Sequence, residues 1–182
     1  MEFHKSKIEN LYLIKPFHHA DNRGAFIKPF DEKKILEIDP TFKLRECYFS
    51  ISQKNVIRGM HFQVPEHNVS KIVYVARGAV KDVVLDLRKD SKTYGEYEVF
   101  ELSESNRDML YVPEGCAHGF LSLEDNTQMT YFQSLPFDKE CDAGIHFGSF
   151  GYDWGIAEEQ LIFSDRDAGL PKLSDFDSPF LL

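Results

Sequence analysis

The chain lacks several features that define common functional classes. Its three cysteines, Cys47, Cys116 and Cys141, are widely spaced and form no Cys-x-x-Cys pair, so the sequence indicates neither a disulfide framework nor a cysteine zinc site. No segment approaches the ~18 uninterrupted apolar residues of a membrane helix, and the charged first ten residues contain no apolar signal core. We therefore expect a reduced, soluble, cytoplasmic protein.

An excess of positive charge is also missing. The chain has 21 Lys and Arg against 30 Asp and Glu, a net charge of −9, which disfavours general binding to nucleic acid or to an anionic membrane. Any phosphate site must be a local basic cluster. Apolar residues are plentiful, at 42% with sixteen Phe, so disorder is excluded as the dominant state. The length predicts a single domain over residues 1–182.

Short alternating segments dominate the chain. Cys47, Phe49 and Ile51 alternate with Tyr48 and two serines, and further segments of this kind occupy residues 71–77, 80–87, 96–102, 109–112 and 128–132. Strands with one wetter face have this period, and their spacing predicts an all-β sandwich or barrel. A helix is predicted from Glu32 to Ile38 with Asp31 as its N-cap. From about Phe137 onward we expect a C-terminal tail of turns and short helix packed on the barrel.

The segment from Ile57 to Gln63, IRGMHFQ, places a cation, a base and an amide close together. In a regular strand Arg58 and His61 would face opposite sides, but Gly59 is a residue at which a strand can bulge or bend. The functional interpretation is an active-site strand with His61 as base and Arg58 as an anion clamp. The alternative is a core histidine beside a surface arginine, which is the commoner situation for a lone His.

The segment from Pro113 to Phe120, PEGCAHGF, resembles the second sequence motif of cupin barrels, whose His points into the barrel. In metal-binding cupins that His, here His118, is a ligand, and the first motif supplies His-x-His. Here the first motif has His61 followed by Phe62 and Gln63, so one imidazole is missing. Two histidines do not complete the usual three protein ligands of a catalytic metal site, and we expect no metal.

Three other segments are ambiguous from local pattern alone. Lys71 begins an otherwise apolar strand, so it either points into the barrel mouth or ends the strand in solvent. Arg23-Gly24-Ala25-Phe26 predicts a hairpin. The stretch from Ser164 to Asp167 predicts a capped turn, in which Asp167 would by default be a surface carboxylate.

Taken in order, these segments resemble the dTDP-4-dehydrorhamnose 3,5-epimerase family over about residues 10 to 170. The matching motifs are Arg23-Gly24-x-Phe26, Ile57-Arg58-Gly59-Met60-His61-x-Gln63, Lys71-Ile72-Val73-Tyr74-Val75, Gly78-x-Val80-x-Asp82-Val83, Asp86-Leu87-Arg88-x-Asp90-Ser91-x-Thr93-x-Gly95, the Pro113 to Phe120 run, Tyr131 and Ser164-x-Arg166-Asp167. The resemblance implies a cupin-like jelly-roll β-barrel, a homodimer and no metal or organic cofactor. It also implies a nucleoside-diphosphate 4-keto-6-deoxy sugar as substrate.

The resemblance further assigns roles to individual residues. His61 matches the family's base, Asp167 the carboxylate that orients it, and Tyr131 the acid that returns a proton from the opposite face. A neutral imidazole is a base suited to pH 7, and protons beside a ketone are removed to give an enolate. Lys71 matches the cation near the 4-keto oxygen, where the enolate charge develops.

Substrate binding is assigned in the same way. Arg58 and Arg23 match residues that hold the diphosphate, and the Arg23 position reaches across from the partner subunit. His118 matches a supporting pocket position. The remaining matched binding positions are Phe26, Lys28, Glu46, Tyr48, Gln63, Phe137 and Arg166.

Several of these positions depart from the family pattern. Lys28 replaces a Glu, Glu46 and Tyr48 replace a Gln and an Asn, and Phe137 replaces the Tyr that stacks on thymine. Phe can still stack, but Lys28 is a donor only, so N3–H of thymine would lose its acceptor. We therefore hypothesise a nucleotide other than dTDP, with a CDP-linked sugar as one option. The alternative is that Lys28 points away and another group contacts the base.

The sequence is also compatible with other functions. A 3,4-ketoisomerase would use the same enolate but return the proton to a different carbon; Tyr131 and the Arg-Gly-x-x-His order favour the epimerase. A cupin that only binds a sugar nucleotide is the rival from a different class, and a metal-dependent oxygenase is a remote third. The sequence does not specify whether C3, C5 or both are inverted.

Overall fold

A computed structural model describes all residues, 1–182, and it is built mainly from thirteen strands. The strands are β1 (Glu2–Lys5), β2 (Tyr12–Lys15), β3 (Phe17–Asp21), β4 (Gly24–Lys28), β5 (Glu46–Ser52), β6 (Ile57–Gln63), β7 (Lys71–Arg77), β8 (Ala79–Asp86), β9 (Tyr97–Ser103), β10 (Met109–Val112), β11 (Cys116–Ser122), β12 (Thr127–Gln133) and β13 (Asp142–Gly144). Two short α-helices, α1 (Glu32–Ile35) and α2 (Asp165–Ala168), and two 3-10 turns, Glu158–Gln160 and Leu173–Asp175, complete the chain. The predicted all-β class is confirmed.

Two antiparallel sheets form the barrel. One has the order β1-β2-β10-β7-β12-β5, and the other has the order β13-β6-β11-β8-β9. A core cluster lies between them and draws side chains from both sheets, among them Val73, Val84, Leu110, Phe120 and Met129. Burial of each such side chain contributes roughly 1.5–3 kcal/mol. Strands β3 and β4 form a separate two-stranded hairpin outside both sheets.

The C-terminal tail packs on the second sheet, as predicted. Phe147, Trp154 and Phe180 from the tail join one buried cluster with Phe62 and Leu85 of the barrel. The tail also contributes β13, which pairs with β6 and which the sequence pattern did not indicate. None of the helices in the chain is long and apolar enough to cross a membrane.

The predicted helix from Glu32 to Ile38 was too long, because α1 ends at Ile35. The chain turns after that point, burying Phe42 and placing Asp39 where it accepts a hydrogen bond from the Tyr111 hydroxyl at 2.7 Å. Asp31 occupies the N-cap position but makes no side-chain capping bond. Its carboxylate instead accepts from the Lys28 ammonium.

Strand β5 shows the predicted alternation with an unexpected orientation. Its apolar side chains point outward, so Phe49 is 59% and Ile51 54% exposed, while Tyr48 and Ser50 face the barrel interior. The reason is that β5 is the edge strand of its sheet and its inner face lines a polar cavity.

Candidate active site

A polar cavity lies between the two sheets and has two compartments. The first, of about 210 Å³, is lined by Tyr48, Ser50, Arg58, His61, Lys71, His118, Phe120 and Tyr131. The second, of about 200 Å³, is lined by Tyr48, His61, Phe62, Gln63, Val69, Lys71, Gln133, Phe137, Asp142 and Arg166. The compartments share Tyr48, His61 and Lys71. Most residues predicted for the site therefore meet in one continuous space.

The bend at Gly59 brings Arg58 and His61 into the same compartment. Gly59 has a φ of +130°, and a Cβ there would lie 2.5 Å from the Cα of Gly119 on β11. The ladder between β6 and β11 shifts register at this point, between His118 and Phe120. The predicted irregularity is confirmed, and it overrides the parity of a regular strand.

His61 is bonded to a buried carboxylate, as the family resemblance implied. Its Nε2 lies 2.7 Å from Oδ1 of Asp167, a residue of α2 whose N-terminus is capped by Ser164. The Gly59 amide donates to the other carboxylate oxygen at 3.4 Å. Burial favours the neutral acid, but the hydrogen bond and charge of His61 outweigh it and hold the pKa of Asp167 below its ordinary value.

Tyr131 faces His61 from the other sheet and stays protonated. Burial raises the pKa of its phenol well above the ordinary value, so at neutral pH the hydroxyl is a proton donor. Tyr48 lies directly opposite on β5, and the two rings stack at 4.8 Å and 17°. The Tyr48 hydroxyl accepts a hydrogen bond from Gln133 at 2.5 Å, and burial raises its pKa to about 12.

Lys71 points into the barrel, which settles the ambiguity left by the sequence. Its side chain is buried, and Nζ donates to the His61 carbonyl at 3.3 Å. Burial lowers the pKa of Lys71 to about 8, although the charges of Asp82 and Asp142 act in the opposite direction. The site thus holds a cation that is less strongly solvated than a surface lysine.

His118 forms a second imidazole–carboxylate pair beside the first. It lies opposite His61 in the ladder, and its Nε2 is 2.8 Å from Oδ2 of Asp82. Both partners are buried, and burial raises the pKa of Asp82 and lowers that of His118. The sequence analysis did not assign Asp82 to the site, although Asp82 belongs to the matching motif Gly78-x-Val80-x-Asp82-Val83.

Arg166 connects the His61 pair to the second compartment. Its Nη1 lies 2.8 Å from Nε2 of His61, and its Nη2 donates to Oδ2 of Asp142 at 2.6 Å. Asp142 was not predicted as a site residue, because the short strand β13 that carries it has no alternating pattern. Its register opposite Gln63 places it at the cavity wall.

Gln63 and Glu46 support neighbouring backbone at the rim of the cavity. Gln63 accepts from the Asp138 amide at 2.6 Å and donates to the His67 carbonyl at 3.1 Å. The Glu46 carboxylate accepts from the amide of Phe137 at 2.9 Å, and the Phe137 ring is exposed. Phe137 is therefore available for stacking on a ligand.

Three predicted binding residues lie outside this cavity. Arg23, Phe26 and Lys28 belong to the β3–β4 hairpin, where Arg23 is 84% exposed and pairs with Asp21 at 2.6 Å. Lys28 pairs with Asp31. The chain by itself does not bring them to the site. No group of three or more His, Cys, Asp or Glu side chains in the chain is arranged to hold a metal ion.

Comparison with known proteins identifies similar chains along nearly the whole length. The family model for dTDP-4-dehydrorhamnose 3,5-epimerase matches residues 5–175. The dTDP-4-dehydrorhamnose 3,5-epimerase of Methanothermobacter thermautotrophicus is 37% identical over 168 residues, covering 91% of this chain and 90% of that protein. A dTDP-4-dehydrorhamnose 3-epimerase of Streptomyces niveus is 34% identical over 164 residues, covering 88% and 79%.

A solved structure shares the fold closely. The dTDP-6-deoxy-D-glucose-3,5-epimerase of Legionella pneumophila, in complex with dTDP-4-keto-L-rhamnose, superposes with a TM-score of 0.91 at 32% identity. The match covers 97% of this chain and 94% of that one. The cupin-like jelly-roll barrel implied by the sequence motifs is confirmed.

Proposed function

Since the chain belongs to the dTDP-4-dehydrorhamnose 3,5-epimerase family, we propose that it is an isomerase of deoxysugar biosynthesis. Its substrate is a nucleoside-diphosphate 4-keto-6-deoxy sugar, and it inverts a carbon beside the ketone. The chemistry proceeds by removal of a proton from one face and return of a proton to the other. No resident cofactor is assigned to this reaction.

The first step is deprotonation by His61. Its Nδ1 makes no hydrogen bond within the protein, while Nε2 is next to Asp167, so Nδ1 is the atom that takes the proton from C3 or C5. The electron pair of the broken C–H bond moves into a carbon–carbon double bond to C4, and the negative charge develops on O4. The Lys71 ammonium stabilises that charge electrostatically.

The second step is reprotonation by Tyr131. Its phenol donates a proton to the same carbon from the opposite face, which inverts the centre and restores the ketone. Tyr131 then regains a proton and His61 loses one, with solvent as the intermediary. The observation that carries this assignment is the compartment itself: the His61 base, the protonated Tyr131 phenol and the buried Lys71 cation line one cavity of about 210 Å³.

Solvent isotope exchange tests the proposal directly. The protein is incubated in D₂O with dTDP-4-keto-6-deoxyglucose, and proton NMR follows the signals at C3 and C5. We expect loss of at least one of these signals with formation of an epimer. A protein that binds the sugar nucleotide, seen by calorimetry, but leaves both signals intact is a binding module and refutes the proposed activity.

The position of Lys28 on the hairpin bears on which nucleotide the substrate carries. Lys28 offers only donors, and cytosine has an acceptor at N3 where thymine has N3–H, so we propose that the protein binds a CDP-linked sugar more tightly than a dTDP-linked one. Isothermal titration with dTDP and CDP measures this preference. Affinity for dTDP equal to or above that for CDP contradicts it.

We also propose that the enzyme is a homodimer. Phe17 and Phe26 lie in contact on the hairpin with their rings exposed, and Phe49 and Ile51 are exposed on β5; exposed apolar clusters are typical of interaction surfaces. In this arrangement the hairpin delivers Arg23 to the partner's cavity. Mixing Arg23→Ala and His61→Ala proteins should then restore activity, because a mixed dimer contains one intact site. No recovery after subunit exchange contradicts the shared site.

A further inference from the structure

The contacts of His61 Nε2 contain a chemical conflict. Arg166 Nη1 lies 2.8 Å and Asp167 Oδ1 2.7 Å from this one nitrogen. A guanidinium can only donate a hydrogen bond, and an ionised carboxylate can only accept one. A neutral imidazole nitrogen is either an acceptor or a donor. Nε2 can therefore satisfy Arg166 or Asp167, but not both at once.

The two choices correspond to the two neutral tautomers of His61. When Nε2 accepts from Arg166, the ring proton is on Nδ1, and Nδ1 cannot take a proton from substrate. When Nε2–H donates to Asp167, Nδ1 has a free lone pair and is the base. The tautomers contain the same number of protons, so conversion needs only exchange with water at the partly exposed ring.

Arg166 is also placed to respond to an anion. Its side chain is partly exposed, and its second contact, with Asp142, lies in the second compartment of the cavity. Arginine binds phosphate through paired donors. A doubly charged diphosphate that reaches Arg166 would compete with both the neutral imidazole nitrogen and the single carboxylate for the guanidinium.

We propose that Arg166 holds His61 in its non-basic tautomer in the free enzyme, and that the substrate's diphosphate draws Arg166 away and so switches the base on. This inference rests on the proposed function for the identity of the ligand. Arg166 is in this view a positioning residue for His61 as well as a phosphate ligand. The free enzyme would then not abstract protons from sugars that lack the diphosphate.

Nitrogen NMR of the histidine rings tests the switch without requiring turnover. In protein labelled with ¹⁵N-histidine, with His61 assigned by comparison with His61→Gln, the ring shifts report which nitrogen is protonated. We expect Nδ1–H in the free wild-type protein and Nε2–H after saturation with dTDP or inorganic pyrophosphate. Thymidine, which lacks phosphate, should leave the free-state pattern unchanged.

Arg166→Gln is the decisive variant. We expect it to show Nε2–H without any ligand, because Asp167 is then the stronger partner for Nε2. Arg77→Gln is the matched control, since Arg77 is an exposed arginine at the opposite end of β7 from Lys71; it should behave as wild type. Nε2–H in the free wild-type protein, or the same tautomer in free wild type and Arg166→Gln, overturns the proposal.

Kinetics separate this inference from the proposed function. Arg166→Gln should raise KM about ten- to a hundredfold through loss of a charged phosphate contact, while kcat stays near the wild-type value because His61 is already the base. A comparable fall in kcat contradicts the switch. If wild-type protein shows no isotope exchange at all, the epimerase assignment fails, whereas the tautomer measurement still decides the role of Arg166.

Discussion

Two histidine–aspartate pairs lie side by side in this barrel and differ in what surrounds them. His61 is 31% exposed at the cavity and its partner Asp167 only 6%, whereas His118 is 3% exposed and Asp82 is fully buried. The His61 interaction lowers the pKa of Asp167, while burial raises that of Asp82 and lowers that of His118. The pKa of the aspartate is thus lowered in the first pair and raised in the second.

The difference follows from the other contacts of each carboxylate. Asp167 receives the Gly59 amide and lies 3.6 Å from Arg166, so its charged form is well supported. Asp82 has one oxygen on His118 and the other, Oδ1, buried without a partner. A buried charge with incomplete hydrogen bonding is disfavoured. These surroundings agree with the proposed role of the first pair as the base, and they make the second pair part of the buried inner wall of the cavity.

Replacement of His61 should have the largest effect. His61 is the base in the proposed reaction, so His61→Ala should lower the rate of solvent isotope exchange by about 10²–10⁴-fold. Proton NMR in D₂O measures this rate. Circular dichroism before and after substitution controls for folding, and undiminished epimerisation would refute the assignment of the base.

The two aspartates provide the next contrast. Asp167→Asn removes the negative charge that favours the Nε2–H tautomer of His61, and we expect exchange to slow by roughly 10²-fold. Asp82→Asn keeps the shape and a hydrogen-bonding oxygen for His118, so its loss at pH 7 should stay within about tenfold. Equal losses in the two variants would mean that the pairs contribute to catalysis in the same way.

The sequence predicted the members of the His61 site better than their partners. His61 was a candidate from its own segment as well as from the resemblance. The local pattern left Lys71 ambiguous, and Tyr131 was assigned by the resemblance alone. Asp167 is 106 residues from His61 in the chain, and only the resemblance connected them. The helix after Asp31 was predicted too long because local helix propensity does not account for the turn that buries Phe42 in the core.

The members of the site that were missed have a common reason. Asp82 and Asp142 contact residues of other elements, His118 on β11 and Arg166 on α2. The first contact arises from sheet register and the second from the position of α2. No spacing rule within one segment encodes them. The sequence also did not predict that Phe49 and Ile51 point outward, because alternation defines two faces of a strand but not which face packs on the core.

Replacing His118 should reduce the unfolding free energy more than replacing His61, although replacing His61 should reduce activity more. His118→Ala removes the only hydrogen-bond partner of the Asp82 side chain in a buried site and should cost about 1–3 kcal/mol of unfolding free energy. The same change at His61 opens space at a solvated cavity and should cost about 0.5 kcal/mol or less. Urea denaturation at one fixed protein concentration compares them. A greater loss for His61→Ala would contradict the structural role given to His118.

The pH dependence of kcat should show which of the two pairs affects the pKa of Lys71. Its pKa is about 8 in the folded protein, below the ordinary value of 10.5, so the ammonium is present below pH 8 and is lost as pH rises through it. Because that charge stabilises the enolate in the proposed reaction, kcat should fall about tenfold per pH unit above 8.

Lys71→Met should lower kcat and abolish this alkaline limb, which identifies the titrating group. The charge of Asp82 opposes the lowering of the Lys71 pKa, so Asp82→Asn should move the limb to lower pH, while Asp167→Asn should leave it in place. A limb that moves with Asp167 instead would place Lys71 in the electrostatic field of the catalytic pair. In that case the Asp82–His118 pair would not be what sets the pKa of Lys71.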